Sequence, residues 1–440
     1  MVQRRDFLGS MAALTASAAF KIDARSYRRI IGANDRVNLA VVGLNSRASA
    51  HLDALKATPN TAIPWICDVD STIADRFAAS VTTALGTAPR KEKDIRRLLE
   101  QRDVDAITIA TPDHWHAPMA IMALQAGKHV YVEKPCSHNP HEGELLVAAE
   151  KQYGNVVQMG NQQRSSAHTI EIIGRIHQGL IGTPYFAKAW YANTRKSIGV
   201  GRVTPVPATL DWDLFQGPAP RRAYTDNMHP YNWHWFWHYG TGESLNNGTH
   251  EVDVCRWALG AGMPTRVTAS GGRYHFHDDW QFYDTLVTNF EYADRMITWE
   301  GMSCQGKQYY GRSRGATIHG TTGTVLVDRD GFEVYDLDDK KVESFTVSVQ
   351  AKATSRDLVG MDAMTTDHFR NFIGAITNGE TLRAPVAEGN VSVTMLQLSN
   401  IAWKTGRALD VDTATGRILR DASAMSMWQR EYEKGWEPRV

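Results

Sequence analysis

The sequence lacks a surplus of either charge and is poor in cysteine. Its 440 residues carry 48 lysines and arginines against 48 aspartates and glutamates. Nucleic acid is therefore not expected as a partner, because proteins that bind phosphate backbones need a basic excess. The cysteines show no CxxC spacing or other metal-binding pattern, and we expect small buried hydrophobic side chains. They are Cys67, Cys136, Cys255 and Cys304.

Long hydrophobic runs are also missing. The apolar stretch over residues 9–19 is too short to span a bilayer, so no stable membrane anchor is expected. It follows Arg4 and Arg5, and the order of charged, apolar and small residues is typical of an export signal. Paired arginines before Phe-Leu resemble a twin-arginine signal. We therefore expect residues 1–30 to be a signal peptide and linker read by the twin-arginine export machinery, and the protein to be periplasmic or otherwise exported. An amphipathic N-terminal helix is the alternative.

The dinucleotide fingerprint G-x-G-x-x-G/A is incomplete. A predicted strand over residues 36–42 ends at Gly43, and a predicted helix follows through residues 50–55. The fingerprint glycines let the backbone approach a pyrophosphate at a helix N-terminus. Here Asn45 occupies the place of the second glycine, and asparagine tolerates left-handed backbone geometry better than most residues. The turn therefore remains a predicted cofactor contact, together with its neighbours Ser46 and Arg47.

An acidic residue ends the next predicted strand. Asp68 follows Gly43 by 25 residues, close to the roughly 20 at which a carboxylate meets the adenosine ribose. A carboxylate repels a 2′-phosphate, so Asp68 favours NAD, with NADP left possible. The alternative is a loop aspartate that caps the next helix, a role for which Asp70 is the nearer candidate.

Strands and helices alternate from residue 36 to residue 164, the pattern of a parallel, doubly wound sheet. We therefore predict an α/β fold with a Rossmann domain over residues 33–160. Polar tips of its later strands should meet at one sheet edge as cofactor contacts. His114 and His116 could also form half of a metal site, but no third ligand has usable spacing, so no metal is predicted. The tips comprise Thr111, Asp113, His114, Trp115, His116, Glu133, Lys134 and Asn161.

One of these tips has the strongest chemical character. The apolar run over residues 129–132 stops at Glu133-Lys134-Pro135, which directs a lysine into the crevice where open α/β sheets bind ligands. We predict that Lys134 is the catalytic centre. The alternative is a salt-bridged strand end without a chemical role.

The second half of the chain has a different pattern. Strand-like runs follow one another between residues 265 and 350 without intervening helices, which predicts a large, mostly antiparallel open sheet. We assign residues 161–410 to an α+β substrate and oligomerisation domain, and residues 411–440 to an extended polar tail. The sheet predicts a homo-oligomer, a dimer or a tetramer.

The most unusual composition lies at residues 227–253, where tryptophan, histidine and asparagine are concentrated before a helix that contains His250. Aromatic faces with polar edges suit the C–H and O–H groups of a sugar. The alternative is a tryptophan-rich hinge core. The predicted substrate contacts are Arg164, Trp233, His234, Trp237, Asn247 and His250.

Together these segments resemble the Gfo/Idh/MocA oxidoreductase family over about residues 33–410, and its exported twin-arginine subgroup best. The resemblance rests on Glu133-Lys134-Pro135, the 111–116 tip, the 160–164 segment and Asn246–Asp253. It implies a Rossmann domain for NAD or NADP, hydride transfer, and catalytic roles for Lys134 and His250. Because no soluble NAD pool exists outside the cytoplasm, we expect an exported protein to hold its cofactor tightly. Many members have aspartate where this chain has Asn246, and asparagine can orient a partner but cannot ionise.

The expected reaction is oxidation of a secondary hydroxyl of a sugar, sugar derivative or glycoside, or reduction of the corresponding ketone. His250 is expected as the acid/base because its reference pKa lies near working pH, and Lys134 is expected to stabilise the developing alkoxide. One alternative is an NAD-dependent glycoside hydrolase that oxidises its substrate transiently and eliminates the leaving group. A second alternative is a non-catalytic sugar or cofactor binder.

Overall fold

A computed structural model describes residues 36–347 and 363–440, in which the chain forms two β-sheets flanked by helices. The predicted signal segment, residues 1–30, lies outside the described residues. The strands are β1 (Val37–Val42), β2 (Thr61–Cys67), β3 (Arg90–Glu92), β4 (Ala106–Ile109), β5 (His129–Val132), β6 (Val157–Met159), β7 (Pro184–Thr194), β8 (Arg266–Gly272), β9 (Thr285–Glu291), β10 (Met296–Met302), β11 (Cys304–Gln305), β12 (Arg314–Gly320), β13 (Thr324–Val327), β14 (Gly331–Tyr335), β15 (Lys341–Thr346) and β16 (Leu409–Asp410).

The α-helices connect and cover these sheets. They are α1 (Arg47–Lys56), α2 (Ser71–Leu85), α3 (Ile95–Leu99), α4 (Asp113–Gln125), α5 (Pro140–Tyr153), α6 (Ala167–His177), α7 (Trp212–Gln216), α8 (Thr249–Leu259), α9 (Ala363–Asn378), α10 (Val386–Thr405) and α11 (Ala422–Met425). Short 3₁₀ turns lie at Gln162–Ser165, Asn232–Trp235 and Ser426–Trp428, and a π-helical turn lies at Ser244–Gly248. None of the helices in the described ranges is both long and apolar enough to cross a membrane.

The first sheet is parallel, with the strand order β3-β2-β1-β4-β5-β6. Every residue of β4 is buried, as expected for a strand covered by helices on both faces. The order changes direction between β1 and β4, and open α/β sheets bind their ligands in the crevice beside such a switch point. The predicted Rossmann sheet is therefore confirmed.

The second sheet has ten strands in the described residues, along the order β15-β14-β13-β12-β7-β10-β9-β8-β16, with β11 paired to β7. All of its pairs are antiparallel except β7 with β10. Helices α8 and α10 pack on this sheet, and burial alternates along β9 and β10 because one face is covered. The predicted large, mostly antiparallel sheet is confirmed.

The end of the chain returns to the first sheet. Phe369 on α9 stacks on Tyr131 of β5, with ring centroids 4.2 Å apart. Trp436 meets Trp115 edge to face at 5.3 Å. An extended polar tail was predicted over residues 411–440, but Trp428 there is only 4% exposed. The prediction of a polar tail was wrong because several of its apolar side chains belong to the main hydrophobic core.

Candidate active site

A cleft of about 1440 Å³ opens at the carboxyl edge of the parallel sheet and is closed on its other side by residues 195–247. Most of the predicted site residues lie on its walls. These are Gly43, Asn45, Ser46, Arg47, Asp68, Thr111, Asp113, Trp115, His116, Glu133, Lys134, Trp233, His234, Asn246 and Asn247.

The turn after β1 is shaped for close backbone approach. Gly43 has φ +80°, and a Cβ there would lie 2.6 Å from the main chain of Ala110 and Thr111, so only glycine fits. Asn45 does not adopt a left-handed backbone, and the expectation that it replaces a glycine in that way was wrong. Its Oδ1 instead accepts a hydrogen bond from Arg76 Nη2 at 3.0 Å.

Asp68 lies at the tip of β2, beside this turn. Its Oδ2 accepts the Leu44 N–H at 2.7 Å and its Oδ1 accepts the Asp70 N–H at 2.9 Å. Burial raises the pKa of Asp68 to about 6, against the opposing effect of these two hydrogen bonds. Asp70 is the N-cap of α2, as proposed, and accepts the Thr72 N–H.

Some residues that follow β4 line the cleft, whereas others hydrogen-bond to neighbouring segments inside the fold. The Thr111 hydroxyl is buried without a hydrogen-bond partner in the described residues. The buried Asp113 accepts a hydrogen bond from the Thr241 hydroxyl, and burial raises its pKa. His116 faces the carbonyl oxygens of Pro135 and Thr111 at 2.6 and 2.9 Å. This histidine therefore holds the Lys134–Pro135 turn against the β4 tip.

His114 does not line the cleft, which corrects its prediction as a cofactor contact. Its ring nitrogens face the carbonyl oxygens of Phe215 at 2.9 Å and Tyr239 at 3.3 Å. Burial lowers the pKa of His114 to about 3, so the ring is neutral. It fixes the 215–239 segment to helix α4.

The Glu133 carboxylate is hydrogen-bonded by side chains of the protein. Its Oε1 accepts hydrogen bonds from Arg47 Nε at 2.8 Å and Gln162 Nε2 at 3.1 Å, and lies 3.0 Å from His51 Nε2. Despite its burial, the Arg47 charge and the His51 contact hold the pKa of this carboxyl well below its usual range. Glu133 therefore fixes Arg47 beside the turn after β1.

Lys134 reaches across the cleft to the second domain. Its Nζ donates to the backbone oxygen of Asn246 at 2.5 Å and to Asn246 Oδ1 at 3.1 Å. Asn246 lies in the π-helical turn before α8, a local widening common at functional sites. Burial is the main cause that lowers the pKa of Lys134, and the Arg47 and Arg314 charges act in the same direction.

His250 does not line the cleft. It is 2% exposed, and neither ring nitrogen has a hydrogen-bond partner in the described residues. Burial lowers its pKa well below the usual value, and nearby cations including Arg329 and Lys134 act in the same direction. The ring is therefore neutral and lies behind the cleft wall.

Three other predicted contacts also lie away from the cleft. Arg164 forms a buried bidentate ion pair with Asp253, at 2.6 and 3.0 Å, so its guanidinium is already committed. Trp237 stacks on Phe282 with centroids 4.6 Å apart and lines a second cavity. Asn161 is 2% exposed and its amide is unpartnered in the described residues. These placements correct the predicted substrate roles of Arg164 and Trp237 and the predicted cofactor contact of Asn161.

Sequence reasoning missed an arginine at the substrate end of the cleft. Arg195, just after β7, pairs with Glu243 through Nε at 2.5 Å and Nη2 at 3.2 Å. The same carboxylate accepts a hydrogen bond from Asn247. Tyr231 also lines the cleft and accepts a hydrogen bond from Arg195 Nη1 at 3.2 Å. No local motif marks Arg195, because its partner lies 48 residues away.

The cleft residues suit a dinucleotide. Gly43 leaves a cradle that a Cβ would fill, and α1 begins four residues later, so its free N–H groups can meet a pyrophosphate. Asp68 supplies an acceptor for ribose hydroxyls. The Thr111 hydroxyl lines the same cleft and is buried without a partner in the described residues. The fold and this edge define a dinucleotide-binding protein of the Rossmann type.

Comparison with known proteins identifies the family. Residues 37–161 match the family described as "Oxidoreductase family, NAD-binding Rossmann fold". Residues 171–326 match the C-terminal domain of the same Gfo/Idh/MocA family. The two matches together span well over half of the chain, and the protein belongs to this family.

Curated relatives match over a shorter region. A glycosyl hydrolase family 109 protein of Saccharopolyspora erythraea is 33% identical over 171 residues, which are 38% of this chain and 37% of that protein. An alpha-N-acetylgalactosaminidase of Shewanella oneidensis is 26% identical over 211 residues, which are 43% of this chain and 46% of that protein. The aligned regions thus span less than half of either relative.

Solved structures match over most of the chain. Levoglucosan dehydrogenase in complex with NADH and levoglucosan has a TM-score of 0.65 at 20% identity, covering 85% of this chain and 99% of that chain. The WlbA dehydrogenase of Bordetella pertussis, in complex with NADH and UDP-GlcNAcA, has a TM-score of 0.62 at 20% identity, covering 86% and 99%. At these identities the likeness shows the shared fold.

Proposed function

We propose that this protein is an NAD-dependent oxidoreductase acting on a secondary hydroxyl group, or the corresponding ketone, of a sugar, sugar derivative or glycoside. The observation that carries the proposal is Lys134, a part-buried amine on the cofactor edge of the sheet, which donates to both oxygens of Asn246. Sugar-bound dehydrogenases of the same fold support the substrate class.

The geometry of Lys134 suits proton transfer. Burial lowers its pKa and so favours the neutral amine. A neutral amine has two N–H groups, and both are accounted for by the oxygens of Asn246. The lone pair then remains to accept the proton of the substrate hydroxyl. When bound, the nicotinamide would accept the hydride that leaves the carbon bearing this hydroxyl group.

The substrate end of the cleft suits a polyhydroxy compound. The ring of Trp233 stacks on His234, with centroids 3.6 Å apart. His234 Nδ1 donates to the Tyr231 carbonyl oxygen at 2.6 Å, and burial lowers its pKa to about 3. The remaining nitrogen is then an acceptor for a hydroxyl group. Arg195 is neutralised by Glu243, which favours a neutral sugar over an anionic one.

The first test replaces Lys134 with methionine in the NAD-loaded protein, followed by a screen of aldoses and glycosides for NADH formation. We expect turnover to fall by about 10²- to 10⁴-fold while NAD affinity by calorimetry is kept. Lys151→Met, on the exposed surface of α5, is the matched control. Turnover close to the wild-type value in Lys134→Met would contradict the assignment. Sugar binding without turnover on any compound would favour a non-catalytic binder.

A second test separates Lys134 from His250. The resemblance assigns acid/base chemistry to His250, whereas this residue lies behind the cleft wall. We therefore propose that His250 supports the Asn246 turn and expect His250→Asn to lower turnover less than Lys134→Met. If His250→Asn abolishes turnover with its folded stability intact, the histidine carries the proton after all.

Asn246→Asp tests the state of the lysine. A carboxylate in place of Asn246 Oδ1, 3.1 Å from the amine, would raise the pKa of Lys134. Alcohol oxidation that needs neutral lysine increases as pH rises through that pKa. We expect the rising limb of the pH–kcat profile to move to higher pH in Asn246→Asp. An unshifted limb would show that Lys134 does not titrate in the rate-determining step.

A second candidate function is the redox-assisted glycoside hydrolase. It is favoured by the curated relatives, which carry the names glycosyl hydrolase family 109 protein and alpha-N-acetylgalactosaminidase. The same cleft and Lys134 would serve it. The discriminating measurement follows free sugar and NADH together with an aryl N-acetylgalactosaminide. Free sugar without net NADH supports the hydrolase, and one NADH for each molecule of oxidised product supports the dehydrogenase.

We also propose that the protein is exported by the twin-arginine machinery with NAD tightly bound, on the basis of the paired Arg4 and Arg5 before a short apolar run. Cell fractionation of the wild type and an Arg4→Lys, Arg5→Lys variant tests the route. Retention of the variant in the cytoplasm is the expected result. Co-purification of NAD, measured by mass spectrometry, tests the tight binding.

We propose a homo-oligomer, a dimer or a tetramer, through the second sheet. Apolar side chains are exposed on its strands, including Tyr185 on β7 at 49% and Val342 on β15 at 58%. Light scattering gives the oligomeric state. We expect Tyr185→Glu with Val342→Glu to lower the oligomeric mass without a loss of folded structure.

A further inference from the structure

A second cavity lies behind the walls of the cleft. Together with its open mouth it has a volume of about 960 Å³, and it is lined by residues from 138–140, 237–241 and 426–431 and by Gln397, Asn400 and Ile401 of α10. Its first segment begins four residues after Lys134, and its second ends two residues before Glu243. The two cavities adjoin, because Asp113 on the cleft accepts a hydrogen bond from Thr241 on the second cavity.

Hydrogen-bonding capacity is left unused in this cavity. Gln397 on α10 is 4% exposed, and its Nε2 donates to the backbone and hydroxyl oxygens of Ser137 at 3.0 and 3.1 Å. That orientation leaves Gln397 Oε1 as an acceptor without a partner in the described residues. A buried polar atom that is left unpaired destabilises the fold, so a partner for this oxygen is expected.

Arg430 and His138 add donors. Arg430 donates through Nε to Glu142 at 2.8 Å and through Nη2 to the His114 carbonyl oxygen at 2.7 Å. Its Nη1 is buried without a partner in the described ranges, and the neighbouring ring of His138 has a backbone contact to Trp237. Burial and the Arg430 charge lower the pKa of His138 well below its usual value. The neutral imidazole has one donor and one acceptor nitrogen, and the nitrogen that does not face Trp237 is left for an occupant.

These groups indicate the chemistry of an occupant. The charge of Arg430 is compensated by the fully buried Glu142, so the cavity does not select an anion. Donors and acceptors are mixed, as they are in hydroxyl groups, and Trp237 and Phe282 supply an apolar wall. We propose that this cavity is a binding site for a small neutral polyhydroxy compound, separate from the catalytic cleft.

The direct test is crystallographic and uses the NAD-loaded wild-type protein. Crystals are soaked separately in D-glucose, N-acetyl-D-galactosamine and myo-inositol. We expect density for at least one of these compounds in the cavity, with hydroxyl groups on Gln397 Oε1 and Arg430 Nη1. Ordered water alone on these atoms, with all three compounds absent or confined to the cleft, would overturn the proposal.

A solution test uses calorimetry with the compound that binds in the crystal. The His138→Phe variant keeps an aromatic ring but removes both nitrogens, and Gln397→Met removes the free acceptor. We expect each variant to lose the binding event assigned to the cavity, by at least tenfold in Kd, while binding in the cleft is kept. Unchanged titrations in both folded variants would count against the site. Because neither residue lines the cleft, this result is independent of the proposed reaction.

Discussion

The carboxyl group of Asp68 leads to a measurable dependence of NAD affinity on pH. Burial raises its pKa to about 6 in the protein without cofactor. Ribose hydroxyls donate hydrogen bonds most strongly to the ionised carboxylate, so NAD should bind the ionised form of Asp68 more tightly. At pH 5 about one molecule in eleven is ionised, and at pH 7 about ten in eleven are. NAD binding should therefore weaken about tenfold from pH 7 to pH 5 if only the carboxylate binds.

The assay is calorimetric titration of cofactor-free protein with NAD at pH 5, 6 and 7. Asp68→Asn is the control, because it removes the titration and the charge. We expect its NAD affinity to be weaker at pH 7 and flat with pH, and its discrimination against NADP to be smaller because the 2′-phosphate no longer meets a carboxylate. A flat profile for the wild type, or a tenfold fall that persists in Asp68→Asn, would refute the reasoning.

Three further predictions concern single side chains. Gly43→Ala should destabilise the fold far more than Gly86→Ala in thermal unfolding. Both glycines have a positive φ, but a Cβ at Gly86 would meet nothing within 4 Å, so Gly86→Ala should cost only about 1 kcal/mol. Arg164→Met should lower the free energy of unfolding in urea by up to about 3 kcal/mol, with KM unchanged, because the buried Asp253 would keep only the Ser392 hydroxyl at 2.6 Å and the Arg256 guanidinium at 3.8 Å. Thr111→Val should leave stability unchanged but weaken NAD binding three- to tenfold, the effect of about one hydrogen bond, in the same calorimetric assay.

The sequence was sufficient for the architecture and for the cofactor edge. Periodicity predicted both sheets, because a parallel strand such as β4 is mostly apolar and buried throughout, whereas burial alternates along strands of the second sheet such as β9 and β10. The tips of parallel strands meet at one edge whatever the details of packing. That is why Gly43, Asp68, Thr111 and Lys134 all line one cleft.

The sequence was not sufficient to tell a polar residue that faces a ligand from one satisfied inside the fold. His114 and Arg164 have the residue types of a site, but Phe215 and Asp253, far along the chain, take up their hydrogen bonds. Arg195 is the opposite case: it lines the site, but no local pattern marks it because its carboxylate partner lies far along the chain. Such pairings depend on tertiary distances that no local pattern contains.

The return of helix α9 to the first sheet has a consequence for how this enzyme class can be divided. His368 accepts or donates at both ring nitrogens, to Ser165 Oγ at 2.6 Å and to the Met159 oxygen at 2.9 Å, and its carbonyl accepts the Gln158 amide at 2.8 Å. Phe369 covers Tyr131. The nucleotide-binding half is thus completed by sequence that arrives more than 200 residues later. A fragment that ends near residue 161 would therefore expose an aromatic face and strand-end polar groups. A chimera that takes its nucleotide-binding domain from a relative would also need the α9 helix of that relative.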